Sequence, residues 1–309
     1  MSYEKICIFR TGALGDVILT LPVIHNLHHA FPSAQINIIG NTRLLSLAQA
    51  DHIQTLDIDR AIWAPLFASH TQFSQELVDP LQNTDLAISY LPDPDQVFTQ
   101  NLRRLGVSRT ITCPPKPESI THAIDHLLAP LRDLNIPTPE IQPKIYLSET
   151  DHQDTVPYLP SSPTLLIHPG SGGKDKCWLP EHFASVADTL IRQTNCQIFI
   201  SSGPADGDLA QKITHLMTEK STLLPQLPLR QLAALMTTCT AYLGNDSGPS
   251  HLAAAVGLPA IVLFGPTDTQ IWAPRSPSVH IIRSSNQKMS SISPNHVIKT
   301  IHPLLPNSC

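Results

Sequence analysis

Gly244-Asn245-Asp246-Ser247-Gly248-Pro249-Ser250-His251 follows the apolar run Ala241-Tyr242-Leu243 and leads into Leu252-Ala253-Ala254-Ala255-Val256-Gly257. The pattern predicts a strand end, a turn of small residues and a helix start. A second strand, Ala260 to Phe264, then closes on Gly265-Pro266. A β-α-β unit of this kind belongs to a parallel sheet covered by helices. Its helix start places unbonded N–H groups and the positive end of a helix dipole at the carboxyl edge of the strands, which suits a phosphate or pyrophosphate.

Outward from this unit the alternation continues. Toward the N-terminus it predicts a strand over Thr164–His168, a helix over Pro180–Thr194, a strand over Gln197–Ser201 and a helix over Asp206–Thr218. A short strand over Ser221–Leu224 and a helix over Leu229–Thr237 complete the approach to Ala241–Gly244. The first half of the chain has the same rhythm. Strands are expected over Lys5–Phe9, Gln35–Ile39, Gln54–Ile58 and Leu86–Tyr90, with a helix from Asp16 to Ala30 that Pro22 should kink or restart and a short one over Leu44–Gln49. Many of the 29 prolines crowd between Cys113 and Pro163, around a helix expected over Ile120–Leu134. Such a segment makes a linker, so two Rossmann-like domains are expected, 1–155 and 156–309. A final helix, Asn295 to Leu304, suits packing on either.

Composition narrows the function class. A chain of 309 residues is long enough for two domains with separate cores. With 41% hydrophobic and 15% charged residues it has the make-up of a soluble globular protein. No apolar run reaches the roughly 18 residues of a membrane span. Met1-Ser2-Tyr3-Glu4-Lys5-Ile6 lacks the pattern of a signal peptide, so a cytoplasmic location is expected, with at most peripheral membrane contact. A net charge of −5 argues against a nucleic-acid partner. Cys7, Cys113, Cys177, Cys196, Cys239 and Cys309 form no C-x-x-C pair and read as reduced, mostly buried thiols. His25, His28 and His29 read as a solvent-facing helix side rather than a metal site.

Three loops carry candidate chemistry. Arg10-Thr11-Gly12-Ala13-Leu14-Gly15-Asp16 is neither a G-x-G-x-x-G fingerprint nor a P-loop, yet it puts the Asp16 carboxylate at a helix start on the strands' carboxyl edge. Taken by itself, Asp16 reads first as a cap of that helix. His168-Pro169-Gly170-Ser171-Gly172-Gly173-Lys174-Asp175-Lys176-Cys177-Trp178 offers close backbone approach, the Ser171 hydroxyl, and Lys174 or Lys176 as a counter-charge for phosphate; the alternative is a plain surface loop. Ser201-Ser202-Gly203-Pro204-Ala205-Asp206 brings a carboxylate within reach of a ribose diol, or caps a helix. Asp93-Pro94-Asp95 has the spacing of a metal-binding D-x-D but reads as a proline turn, so no metal is expected.

Arg10 with Gly15-Asp16 and Leu21-Pro22, Lys176-x-Trp178, the Gly244-to-Ala253 block and Phe264-Gly265-Pro266-Thr267 occur in that order over nearly the whole chain. Together they resemble glycosyltransferase family 9, the lipopolysaccharide heptosyltransferases. The resemblance implies a GT-B fold, two Rossmann-like domains facing across a cleft. It implies that the N-terminal domain binds a lipid-linked oligosaccharide acceptor and the C-terminal domain a nucleotide-sugar donor, ADP-heptose or another NDP-sugar. Asp16 would then be the catalytic base. Ser171, Lys176, Asp246, Ser247, Gly248 and His251 would hold the donor, with Asp206 toward its ribose. Inverting transfer by this set needs no cofactor beyond the donor substrate. Two features depart from the family. Ser247 stands where it usually has threonine, keeping the hydroxyl, and basic residues are sparse for an anionic acceptor, with Arg10, Arg43, Arg60, Arg103, Arg104 and Arg109 as the N-terminal arginines. A sugar-nucleotide epimerase or hydrolase, or a non-catalytic nucleotide-sugar-binding paralogue, remain the alternatives.

Overall fold

The computed structural model describes residues 2–204 and 206–305. Its strands form two wholly parallel sheets. The first contains β1 (Lys5–Phe9), β2 (Gln35–Gly40), β3 (Ile53–Asp57), β4 (Leu86–Ser89) and β5 (Arg109–Thr112), in the order β3-β2-β1-β4-β5. The second contains β6 (Thr164–His168), β7 (Gln197–Ile200), β8 (Thr222–Leu223), β9 (Ala241–Asn245), β10 (Ala260–Phe264) and β11 (Val279–Arg283), in the order β11-β10-β9-β6-β7-β8. In each sheet the chain runs outward from a central strand and then jumps back to its other side. The reversal falls between β1 and β4 in one and between β6 and β9 in the other, the places where such sheets bind ligands.

Every residue of β4, β6, β9 and β10 is buried, as continuous apolar runs in a sheet covered on both faces should be. β11 was not anticipated, because His280 and Arg283 interrupt the short apolar run of Val279-His280-Ile281-Ile282-Arg283, which lies at the sheet edge. Nor were β5 and the helix Val97–Arg104, which the first sheet adds beyond β4. The helix Leu14–Ala30 continues through Pro22 without a restart. Asn26 braces it, donating from Nδ2 to the Pro22 carbonyl at 2.7 Å and to the Glu140 carbonyl at 2.6 Å. The final helix, Pro294–Ile301, places Val297 and Ile301 in the core of the second sheet with Trp178, Phe183 and Leu190.

The chain divides into two compact units, Met1–Pro143 and Lys144–Cys309. The division precedes the expected boundary at residue 155 because an ion pair commits the intervening residues to the second unit. Arg230 donates from Nε to Asp151 Oδ1 at 2.8 Å and from its terminal nitrogen to Asp151 Oδ2 and to the Tyr146 carbonyl. Proline spacing carries no trace of a contact so distant in sequence. Of the cysteines, Cys7, Cys113, Cys196 and Cys239 are buried free thiols, Cys177 is half-buried, and Cys309 lies outside the described residues. The histidine row on the first helix is not uniformly solvent-facing: His29 is exposed, but His28 stacks on His52 with ring centroids 3.5 Å apart. Among the described residues no helix is long and apolar enough to cross a membrane.

Candidate functional site

The reversal between β6 and β9 delivers two loops to one place. Ser171 Oγ donates to the Asp246 carbonyl at 2.7 Å, and Lys176 Nζ lies 2.9 Å from Asp246 Oδ2. Asn245, fully buried, ties the two loops together from beneath: its Nδ2 donates to the Pro169 carbonyl at 2.6 Å and its Oδ1 accepts the Trp178 N–H at 3.1 Å. Trp178 is buried and donates its indole N–H to the Ile292 carbonyl. The Lys-x-Trp spacing is thereby explained: the indole anchors the loop in the core while Lys176, 34% exposed, keeps its ammonium at the surface against a carboxylate that is 7% exposed.

Helix Gly248–Ala255 starts directly after this pair. Among the described residues, no acceptor pairs with the backbone N–H of Ser247 or Gly248, while those of Ser250 and His251 return to the Ser247 carbonyl. Two amides and a helix dipole are thus available to an anion beside Lys176. Beneath them runs a chain of hydroxyls: Ser247 Oγ lies 3.4 Å from Ser250 Oγ, which lies 3.1 Å from Tyr242 Oη and also donates to the Asn245 carbonyl. Tyr242 is wholly buried, which pushes its phenol well above the usual range, so it stays protonated. Its ring explains Gly244, where a Cβ would lie 2.3 Å from Tyr242 Oη. His251, 5% exposed, sits inside the first turn of the helix.

Asp206 is placed differently from the expectation. Its carboxylate, 5% exposed, lies 3.3 Å from His168 Nε2 and accepts the Gly203 N–H. It faces the loop after β6, with Oδ2 engaged by His168 and Gly203. Helix formation starts later than expected, at Leu209.

In the first unit, Asp16 occupies the third position of its helix, not the N-cap: Oδ2 accepts the Ala13 N–H at 2.8 Å. Gly12, at φ 121°, permits this approach, since a Cβ there would meet Asp16 Oδ2 at 2.5 Å. Arg10 holds the other oxygen, donating to Oδ1 at 3.1 Å, and also donates to the Asp16 carbonyl and to the Pro115 carbonyl. The guanidinium is 2% exposed and 5.7 Å from the Tyr90 ring centroid, on the β1–β4 side where the strand order reverses. Burial lowers its pKa, with Asp16 opposing the shift. Arg10 therefore aims the carboxylate rather than joining an open basic patch, while Asp16 remains 24% exposed. Asp93 caps helix Val97–Arg104 through the N–H groups of Phe98 and Thr99, in keeping with a turn.

Two Rossmann-like units, the second with two loops meeting at its switch point, form an architecture that many functions share, so the class rests on likeness to known proteins. A family model described as glycosyltransferase family 9 (heptosyltransferase) matches residues 97–302. The chain belongs to glycosyltransferase family 9. The family 9 protein is 28% identical over 278 residues to the lipopolysaccharide core heptosyltransferase OpsX of Haemophilus influenzae, covering 84% of this chain and 79% of the relative. Among solved structures it resembles the family 9 glycosyl transferase of Veillonella parvula, with a TM-score of 0.83 at 21% identity over 98% of this chain and 97% of the other. The E. coli ADP-heptose lps heptosyltransferase II follows at a TM-score of 0.79 and 20% identity, over 98% of each chain. These likenesses give the fold, which is GT-B, and the family makes the protein a glycosyltransferase.

Three contributors were not assigned a role from sequence. Arg10 was quoted in the motif but its partner was not; Asn245 and Tyr242 looked like ordinary strand residues. Only the period-2 placement of Tyr242 and Gly244 on one strand face hinted that the glycine makes room for a ring.

Proposed function

We propose that this protein is an inverting glycosyltransferase that moves a heptose from ADP-heptose to a sugar hydroxyl of a lipopolysaccharide core acceptor. The observation that carries this reading is the convergence of Ser171, Lys176 and the free amides of Ser247 and Gly248 at the β6–β9 reversal. The names of its relatives supply the sugar, the nucleotide and the class of acceptor.

Chemically, the acceptor hydroxyl attacks the anomeric carbon while the bond to the diphosphate oxygen breaks, inverting the centre. Asp16 takes the hydroxyl proton, with Arg10 fixing the orientation of its carboxylate. The charge appearing on the nucleoside diphosphate meets the Lys176 ammonium and the amides at the helix start. Asp246 serves by holding Lys176 in place, and Ser171 by fixing the Asp246 backbone. This division of labour calls for no metal or further cofactor. The first unit is the acceptor domain and the second the donor domain, with at most peripheral membrane contact to reach a lipid-linked substrate.

The test is incubation of the purified protein with ADP- and other NDP-sugars, with and without a truncated lipopolysaccharide core, following nucleotide release and acceptor mass. Acceptor-dependent ADP release with a heptose-sized mass gain is the expected result. Release without acceptor would point to hydrolysis or epimerisation, and binding without release would overturn the enzymatic assignment.

A further inference from the structure

Asp206 and His168 form a buried pair, each side chain 5% exposed, at the carboxyl ends of β6 and β7. Nothing in the transfer chemistry uses them directly. Both partners meet one oxygen: His168 Nε2 lies 3.3 Å from Asp206 Oδ2, and the Gly203 N–H donates to the same atom. The second oxygen, Oδ1, rests on Gly170, where a Cβ would lie only 1.9 Å away. Ser201 Oγ stands 3.1 Å from His168 Nδ1, so the far edge of the imidazole is also partnered while Nε2 faces the carboxylate. A carboxylate removed from water in this way is costly unless every partner stays in place. Neither the loop that begins at Pro169 nor the one that ends at Asp206 can shift without stranding it.

We propose that Asp206 is a positioning residue that acts through His168 and Gly170 to fix the loop from Pro169 to Lys176, so that Ser171 and Lys176 meet Asp246 in the geometry that receives a diphosphate. This rests on the reading of that loop as the diphosphate site. It replaces a direct ribose contact, and the two roles differ in one observable. A residue that touches ribose matters for ADP and is irrelevant to inorganic pyrophosphate; a residue that sets the loop matters equally for both.

Calorimetric titration of the folded full-length protein with ADP and with inorganic pyrophosphate separates them. Asp206→Ala is expected to weaken both by about tenfold, the scale of coupling within one contact network. Asp206→Asn, whose amide oxygen can replace Oδ2 toward both partners, should bind both within about threefold of the parent protein. His168→Ala should repeat the loss, and the double variant Asp206→Ala/His168→Ala should be no weaker than about twofold beyond either single one, because the two act as a unit. His168→Ala carries the same test if Asp206→Ala does not fold. Loss of ADP affinity with pyrophosphate affinity intact would overturn the proposal in favour of ribose contact, and additive losses or no loss would overturn it outright. Lys176→Ala keeps the two levels apart: if it binds both ligands as well as the parent protein, the diphosphate reading falls and this proposal with it. If Lys176→Ala is weak while Asp206→Ala is not, only this proposal falls.

Discussion

Gly244→Ala tests whether the first glycine of the Gly244-to-His251 block serves packing rather than ligand approach. The new Cβ would sit 2.3 Å from Tyr242 Oη, 2.8 Å from Cζ and 2.9 Å from Cε1, all closer than real contacts allow. Tyr242 cannot retreat, being wholly buried and tied through its hydroxyl to Ser250. Overpacking of this kind costs about 1–3 kcal/mol, and displacing the phenol from Ser250 adds about 1 kcal/mol, for a total of about 2–4 kcal/mol. In a unit of this size each kcal/mol moves the midpoint by about 3 °C, so thermal unfolding should shift down by about 6–12 °C. Tyr242→Phe should not rescue it, since the ring carbons still collide; Tyr242→Leu, which removes them, should recover part of the loss. Calorimetric melts of the single and double variants check this, with ADP titration well below the midpoint to show that the folded variant still binds. A Gly244→Ala protein that melts within about 2 °C of the parent, or one that melts normally but no longer binds ADP, would show that the glycine is there for the ligand.

Asp16→Asn preserves shape and most hydrogen bonds but cannot accept a proton, so transfer should fall by about 10²–10⁴-fold while ADP affinity, read by titration, stays within about threefold. Arg10→Lys loses the fork that holds both an Asp16 oxygen and the Pro115 carbonyl; kcat should drop by about tenfold with donor KM unchanged, as steady-state rates will tell. The Arg230 guanidinium holds the Asp151 carboxyl well below the usual carboxylate range. A depressed folded-state pKa stabilises above the unfolded value of about 3.9 and loses that contribution as pH falls below it. Melts from pH 6 to pH 3 should therefore show the parent protein's advantage over Arg230→Met at neutral pH shrinking below about pH 4, and a gap that is constant with pH would refute the pairing.

Much of the architecture was legible because parallel strands buried on both faces read as near-continuous apolar runs. Lys5–Phe9, Thr164–His168 and Ala260–Phe264 were predicted to the residue for that reason, as was the helix Pro180–Thr194, with proline at its first position and Asn195 as its left-handed cap. Edge elements escaped: β11 mixes His280 and Arg283 into its run, and β5 is polar at three of its four positions, because an edge strand covers less of the core. The helix does not restart at Pro22, and Asn26 ties that turn to Glu140, 114 residues away in sequence.

The site divides along the same line. Residue order alone determined the loops, their placement at the carboxyl ends of strands and the family to which the chain belongs, since these follow from local pattern and motif spacing. Which side chains face a ligand and which face each other was decided only in three dimensions. Asp16 and Asp206 look alike in sequence, each an aspartate after a glycine-bearing turn. Asp16 keeps partial exposure beside Arg10, whereas Asp206 is drawn under the neighbouring loop by His168 and Gly203. The difference arises because a carboxylate's role depends on which groups the fold brings within about 3 Å of it: Asp16 meets Arg10 and Ala13 of its own loop, while Asp206 also meets His168 from the neighbouring strand.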